Sequence, residues 1–182
     1  MGLILNRLVP IITLRIGLGA LVGAALYGVA GCGGGDGPPA GEAAEGTATV
    51  VRVVDGDTLV VDIDGREERV RLIGIDTPES TDPRQPVECF GAEATARVEA
   101  LLPAGTTVRL ERDVEARDRY DRLLAYVFRQ ADDLFVNVAM VRDGFAEVLT
   151  IAPNVSYVGT FTDAARAART DSRGLWSSCR PD

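Results

Sequence analysis

Apolar and polar positions along the chain fall into short blocks with two different periods. Residues 47–54 form a β-branched run closed by Asp55-Gly56, residues 58–63 a second run closed by Asp64-Gly65, and residues 68–75 a third. Such runs joined by Asp-Gly pairs predict a three-stranded meander, because Asp-Gly readily supplies the positive φ of tight hairpin turns. Residues 77–88 contain Pro78, Pro83 and Pro86 and predict an exposed loop. The period then changes. Ala94, Val98, Leu101 and Leu102 are spaced i, i+4, i+7, i+8, the stripe of an amphipathic helix over 91–102 that Pro103-Ala104-Gly105 stops. Residues 106–110, 123–128 and 134–136 read as strands, 137–142 as a short helix ended by Gly144, and 145–149 as a short extended segment. Ser156 is the candidate N-cap of a helix over 157–171, with Phe161, Ala165 and Ala168 facing inward; Gly174 ends it and Leu175-Trp176 packs back on the body. Strands and helices do not alternate, so a doubly wound sheet fits poorly. The order predicts an α+β domain, a five-stranded OB-type barrel with about three helices.

The first part of the chain does not belong to that domain. Arg7 and Arg15 flank an apolar start, residues 16–29 carry no charge, and Val29-Ala30-Gly31-Cys32 follows. A charged region, an apolar region and small residues predict a secretory signal peptide over 1–31. The apolar run is short of the ~20 residues of a membrane span. Val29-Ala30-Gly31-Cys32 resembles a bacterial lipobox, in which the cysteine is lipidated; the alternative is an uncleaved N-terminal anchor. Both place the domain outside the cytoplasm, lipid-anchored to the cell envelope in the first case. Residues 32–46 are rich in Gly, Pro, Ala and Glu without apolar periodicity and read as a flexible tether from Cys32 to a domain over 47–179.

Composition narrows the chemistry. The net charge is -8, and loss of residues 1–31 removes two arginines and no acid, making it -10. An acidic chain is a poor general polyanion binder, so nucleic acid would be held only at a local patch. All 19 basic residues are arginine, and there is no histidine. That absence excludes Ser-His-Asp and Cys-His catalysis, imidazole acid–base work and His-containing zinc sites. Catalysis would fall to carboxylates, arginines, a metal or tyrosine. With Cys32 assigned to lipid, Cys89 and Cys179 remain as an even pair in an oxidising compartment, which favours a disulfide over two separate buried thiols.

The acidic residues of the meander collect at its junctions. Asp55 and Asp57 flank one turn, and Asp76 and Glu79 follow the third run. Arg71 lies inside the apolar run Val70-Arg71-Leu72-Ile73, where a guanidinium is costly unless something anionic meets it. Hard oxygen ligands beside a half-buried arginine suggest a divalent cation and a phosphate. By strict alternation Arg71 and Asp76 face opposite sides of a strand, so a bend, most cheaply at Gly74, is needed to join them in one site. Taken alone, D-G-D-T (55–58) is satisfied by a hairpin turn. A second constellation, residues 118–126, sets Arg122 just before an apolar strand as Arg71 is set within one. Asp113, Glu115 and Asp118 are available to pair with Arg119 and Arg122.

These segments resemble the thermonuclease family, the staphylococcal-nuclease-like fold. The resemblance rests on D-G-D-T (55–58), R-L-I-G-I-D-T-P-E (71–79), F-G-x-E-A (90–94), D-R-Y-x-R-L-L-A-Y (118–126), V-N-x-x-M-V-x-x-G (136–144), P-N (153–154) and G-L-W (174–176), in that order from about Thr47 to Trp176. It implies an OB barrel with helices and a Ca2+-dependent endonuclease acting on DNA and RNA and leaving 3′-phosphate products. By matching position it implies calcium carboxylates from Asp57 and Asp76, a calcium-binding backbone carbonyl from Thr77, Glu79 as general base, Arg71 and Arg122 on the phosphate, and Arg119 and Tyr120 along the nucleotide pocket. A monomer is expected. Two departures stand out. Asp121 occupies a usual glycine position, where a carboxylate can compete for Arg122 and where positive φ is costlier. Thr150 and Ile151 stand where some members carry base-stacking tyrosines. The competing readings are a non-catalytic OB-fold nucleic-acid-binding envelope lipoprotein and a purely structural one.

Overall fold

The computed structural model describes residues 46–80 and 86–179. The expected signal peptide, Cys32 and nearly all of the tether lie outside the described residues.

Three strands open the domain: β1 (Gly46–Asp55), β2 (Thr58–Ile63) and β3 (Arg66–Leu72). They pair antiparallel through the two Asp-Gly turns. Asp64 and Gly65 have φ of 53° and 80°, the paired positive values of the turn that matches strand twist. Next come β4 (Gly74–Asp76), helix α1 (Gly91–Leu101), β5 (Thr107–Glu111), β6 (Leu123–Arg129), β7 (Leu134–Phe135), helix α2 (Val136–Arg142), β8 (Glu147–Leu149), helix α3 (Val158–Thr170) and one turn of helix, α4 (Leu175–Ser178). The sheet runs β3-β2-β1-β5-β6, and a parallel pairing of β3 with β6 closes it into a five-stranded barrel, with the short β7 paired antiparallel to the end of β6. Leu59, Val61, Val70, Leu72, Val108, Ala125 and Val127 fill the interior together with Ala94 and Val98 of α1 and Phe161 of α3. The alternation read along each strand is thus the inward face of a closed barrel.

The third apolar run is not one strand. It breaks at Ile73, and Gly74 turns the chain with φ of 83°. A Cβ at Gly74 would run into the Phe161 ring, so both the backbone conformation and the packing require glycine there. Beyond the break β4 leaves the barrel and pairs with β8, with Asp76 opposite Glu147. Asn137 secures this break from inside. It is fully buried; its Nδ2 donates to the Ile73 carbonyl at 2.9 Å, and its Oδ1 accepts from Val127 N at 2.9 Å. The N-cap expected from Ser156 is not made: α3 begins after Tyr157 without a side-chain cap, and Ser156 N donates to Asp113 Oδ2 at 3.0 Å. Asp113 therefore joins the loop after β5 to the segment before α3, and it also accepts a 2.8 Å hydrogen bond from the buried Tyr126 hydroxyl. Burial opposes ionisation of Asp113, but the Ser156 and Tyr126 hydrogen bonds outweigh it and hold the carboxyl below its ordinary range.

Candidate active site

The bend at Gly74 carries the chain from β3 back over the first hairpin, and the acidic corner forms there. Asp57 is 7% exposed. Its Oδ2 accepts from Thr77 N at 3.1 Å and Thr77 Oγ1 at 3.2 Å, and lies 3.1 Å from Arg71 Nη2. The same Nη2 lies 2.8 Å from Asp76 Oδ1. Arg71 Nη1 donates to the carbonyls of Leu72 and Ile75 at 2.9 and 2.8 Å. Those carbonyls face the guanidinium because the chain turns between them. Burial pushes the Asp57 carboxyl up to about 6; Arg71 pulls it down, while Asp55 and Asp76 push it further up. The Arg71 guanidinium and the Thr77 hydrogen bond thus do not outweigh the burial of this carboxyl.

The donor set fits a hard cation. Two carboxylate oxygens converge on one point now taken by Arg71 Nη2, every donor is oxygen, and Thr77 is bound against Asp57 by two hydrogen bonds. Among the described residues no group of three or more acidic or thiol side chains forms a ready cage. A cation held by Asp57, Asp76 and the Thr77 carbonyl would complete its shell with water and substrate oxygens.

The other wall of the cleft is the loop before β6. Asp118 Oδ1 accepts from Tyr120 N at 2.9 Å and Arg122 N at 3.0 Å, and Asp118 Oδ2 accepts from Arg122 Nε at 2.8 Å. Burial works against Asp118 ionisation, but these hydrogen bonds prevail and hold the carboxyl below its ordinary range. The Arg122 head is thus gripped by one edge. Its Nη1 makes only a 3.4 Å contact with Thr58 Oγ1. Tyr120 is 65% exposed, with the Arg119 guanidinium 4.7 Å and that of Arg122 5.6 Å from its ring centre. Arg71, Asp118, Arg119, Tyr120 and Arg122 line a cleft of about 500 Å³. Where stacking tyrosines were missing from the sequence, Leu149 and Ile151 supply an apolar lining. The arrangement can take a planar base against Tyr120 and an anion between two guanidinium groups.

Asp121 does not compete for Arg122. Its φ is 62°, the conformation expected of a glycine position, and its carboxylate is turned to Arg117, 3.5 Å away. Arg117 in turn donates to both oxygens of Glu68 at 3.0 Å and to the Asp121 carbonyl at 2.8 Å, which ties the loop to β3. Sequence reading assigned no role to Glu68–Arg117, to Thr58, or to Asn154. Asn154, 5% exposed, accepts from Glu115 N at 2.7 Å and donates to Glu115 O at 3.0 Å, fixing the far end of the loop. A buried amide that satisfies one residue's whole backbone leaves no signal in sequence spacing. Asn137 differs in this respect: a lone asparagine inside the apolar run 136–141 marks a polar group that needs partners.

Glu79 is placed by its backbone. Its N donates to Glu88 Oε2 at 2.9 Å and its carbonyl accepts from Glu88 N at 2.8 Å. That carbonyl would lie 2.6 Å from any Cβ at position 91, so Gly91 lets the Glu79 segment lie against the start of α1. Cys89, next to Glu88, is bridged to Cys179 with a Cα separation of 5.9 Å. The disulfide thus anchors the neck of the loop that carries Glu79 to the end of the chain.

A closed barrel whose edge brings together two arginines, two acids and a cleft lined by Tyr120 is suited to a phosphate ester. Residues 69–178 match the family described as Staphylococcal nuclease homologue. The chain is 38% identical over 134 residues to the thermonuclease of Staphylococcus hyicus, covering 74% of this chain and 78% of that protein. It is 41% identical over 127 residues to the thermonuclease of Staphylococcus intermedius, covering 70% and 74%. It is 35% identical over 131 residues to the endonuclease YncB of Bacillus subtilis strain 168, covering 71% and 61%. The chain belongs to the staphylococcal nuclease homologue family, a family of nucleases.

Proposed function

We propose that this chain is a calcium-dependent endonuclease that hydrolyses phosphodiester bonds of DNA and RNA to 3′-phosphate products. It acts outside the cytoplasm as a monomer, held to the cell envelope through lipid on Cys32. The observation that carries the chemistry is the shared cleft of Arg71 and Arg122, with the acidic corner attached to one wall.

Asp57, Asp76 and the Thr77 carbonyl would hold calcium, which when bound would supply positive charge to offset that of the phosphodiester. Glu79 accepts a proton from the attacking water; in a chain without histidine a carboxylate is the available base. The water oxygen bonds to phosphorus and the bond to the 5′ oxygen breaks, so the phosphate stays on the 3′ side and the 5′ oxygen takes a proton from solvent. Negative charge builds on the two non-bridging oxygens as this happens. Arg122, gripped at Nε by Asp118, directs its remaining N–H groups at them, and Arg71 does so from the opposite wall. Arg119 and Tyr120 hold the adjoining nucleotide.

The test is hydrolysis of single-stranded DNA, double-stranded DNA and RNA in calcium and in chelator, with end-group analysis of the products. Calcium-dependent cleavage to 3′-phosphate ends is expected. A non-catalytic binding module would bind the same oligonucleotides and leave them intact. The anchor is tested by Cys32→Ala, which is expected to release the protein from the membrane fraction; full retention there would contradict lipid anchoring.

A further inference from the structure

The substrate strand is longer than one phosphate, and the barrel surface next to the cleft has a feature that the catalytic residues do not use. Register places the side chains of β1–β3 in rows across the outside of the barrel. Arg71 pairs with Thr58, and Thr58 with Asp55, so this row belongs to the active site. In the next row Arg69 pairs with Val60 and Val60 with Arg52. Leu59 and Val61 point into the interior cluster and Val60 does not, which puts Arg52, Val60 and Arg69 on the outer face together with Arg71.

Arg52 and Arg69 are both exposed, and neither makes a salt bridge or a side-chain hydrogen bond to any described residue. Elsewhere on the surface arginines are spent on carboxylates, as in Arg129 with Asp132, Arg142 with Asp143 and Arg166 with Asp163. Val60, between the two, is only 2% exposed although it lies outside the interior cluster. Its register partners on either side are the long side chains of Arg52 and Arg69, which suits an arrangement in which an arginine keeps its stem on apolar surface and its head in solvent. The following row is Glu67 with Asp62, so positive charge stops there.

We propose that Arg52 and Arg69 form a second phosphate-binding step for a single nucleic-acid strand leaving the active site. This rests on the nuclease reading above and extends it to the neighbouring nucleotides. Arg69 is two residues from Arg71 on one strand face, about 6.7 Å along β3, the rise of roughly two stacked nucleotides. Arg52 lies across β2, about 9.6 Å further. The acidic row beyond limits the step to these two arginines. In a chain of net charge -8 it is a local patch of the kind that a polyanion needs.

The experiment measures binding of a dinucleotide and of a single-stranded DNA 8-mer to the Glu79→Gln protein in calcium, across a salt series. It compares Arg52→Gln/Arg69→Gln, Arg52→Lys/Arg69→Lys and, as a remote charge control, Arg166→Gln. The same three sets of changes in an otherwise wild-type chain are read by kcat/KM on both substrates. The double Gln change is expected to weaken 8-mer binding roughly tenfold or more and to reduce the salt slope by about 1.4, the value for two single-strand phosphate contacts. The dinucleotide is expected to be unaffected within twofold, and the Lys pair and the remote control to retain the parental slope. An unchanged 8-mer slope in the double Gln protein, or an equal loss for the dinucleotide, overturns the proposal while leaving the nuclease reading intact. Failure of the parent to bind either ligand would overturn both.

Discussion

Arg71 and Arg122 stand on opposite walls of one cleft and are held in opposite ways. The Arg71 guanidinium is held by short contacts: two carbonyls on Nη1, and two carboxylates on Nη2. Arg122 is fixed at Nε by one carboxylate, reaches Thr58 Oγ1 from Nη1 at 3.4 Å, and lies beside the Tyr120 ring. Arg122 is therefore already presented to an incoming anion. Arg71 is instead engaged with Asp57 and Asp76, and under the proposed mechanism it would meet substrate fully only when another cation takes over those acids. If Asp57 and Asp76 hold calcium as proposed, calcium and Arg71 compete for the same two carboxylates, and calcium binding would free the guanidinium.

The largest expected effect is common to both walls. Arg71→Lys and Arg122→Lys keep the charge and lose the two-pronged geometry, and each is expected to lower kcat by roughly 10²–10³, the usual cost of removing one donor to developing charge. Loss of less than about tenfold at both positions would contradict a role for the two arginines in stabilising that charge. The next effect separates the walls. Arg71→Gln removes calcium's competitor, so calorimetric titration without substrate is expected to show calcium binding tightened roughly tenfold. Arg122→Gln is expected to leave calcium affinity unchanged. Weaker calcium binding in Arg71→Gln would contradict the exchange.

A pH series sharpens the same contrast. The Asp57 carboxyl is raised from 3.8 to about 6 in the folded, metal-free protein. A carboxyl bound more tightly to its proton when folded contributes stability that is present below the unfolded value and lost as pH rises through the folded one. Between roughly pH 4 and 6, metal-free Asp57 thus loses a stabilising contribution as it ionises. Calcium needs the ionised form and opposes that loss. The rise in melting temperature on adding calcium is expected to grow from pH 5 to pH 7, with Asp57→Asn flattening the dependence. A calcium-induced rise that is equal at both pH values in the wild type would exclude Asp57 as a ligand.

The smallest effect concerns the loop of Arg122. Asp121 sits at φ of 62° with its carboxylate exposed and facing Arg117. Asp121→Gly relieves the backbone cost but adds freedom to the unfolded chain, so a stability change within roughly 0.5 kcal/mol is expected. Turnover is expected to change less than twofold. A large gain in rate would mean that Asp121 restrains Arg122 after all.

These two walls were not equally legible in the sequence. The meander, the helices and the need for a bend at Gly74 followed from local periodicity, because Arg71 and Asp76 could share a site only if the alternation broke between them. What the bend becomes was not legible. The parallel pairing of β3 with β6 and the pairing of β4 with β8 join segments tens of residues apart, and no local pattern selects between such partners. On the loop, three acids were available to the arginines. Only the fold shows that Asp118 takes Arg122 and that Asp121, adjacent in sequence, turns away, because a positive φ redirects its side chain. Asn137 and Asn154 were visible as residues, but their work on backbone groups of Ile73 and Glu115 depends on contacts that sequence spacing does not encode.

In the proposed reaction Glu79 removes the proton from the attacking water while calcium and the two arginines hold the phosphate. Single-turnover cleavage of a labelled single-stranded oligonucleotide by wild type and by Glu79→Gln, each in saturating calcium and in chelator, tests it most directly when oligonucleotide affinity is measured in parallel. Wild type is expected to cleave in calcium and not in chelator, and Glu79→Gln to bind with similar affinity while cleaving roughly 10²–10⁴-fold more slowly. Near-wild-type cleavage by Glu79→Gln, or equal cleavage by wild type in chelator, would contradict it.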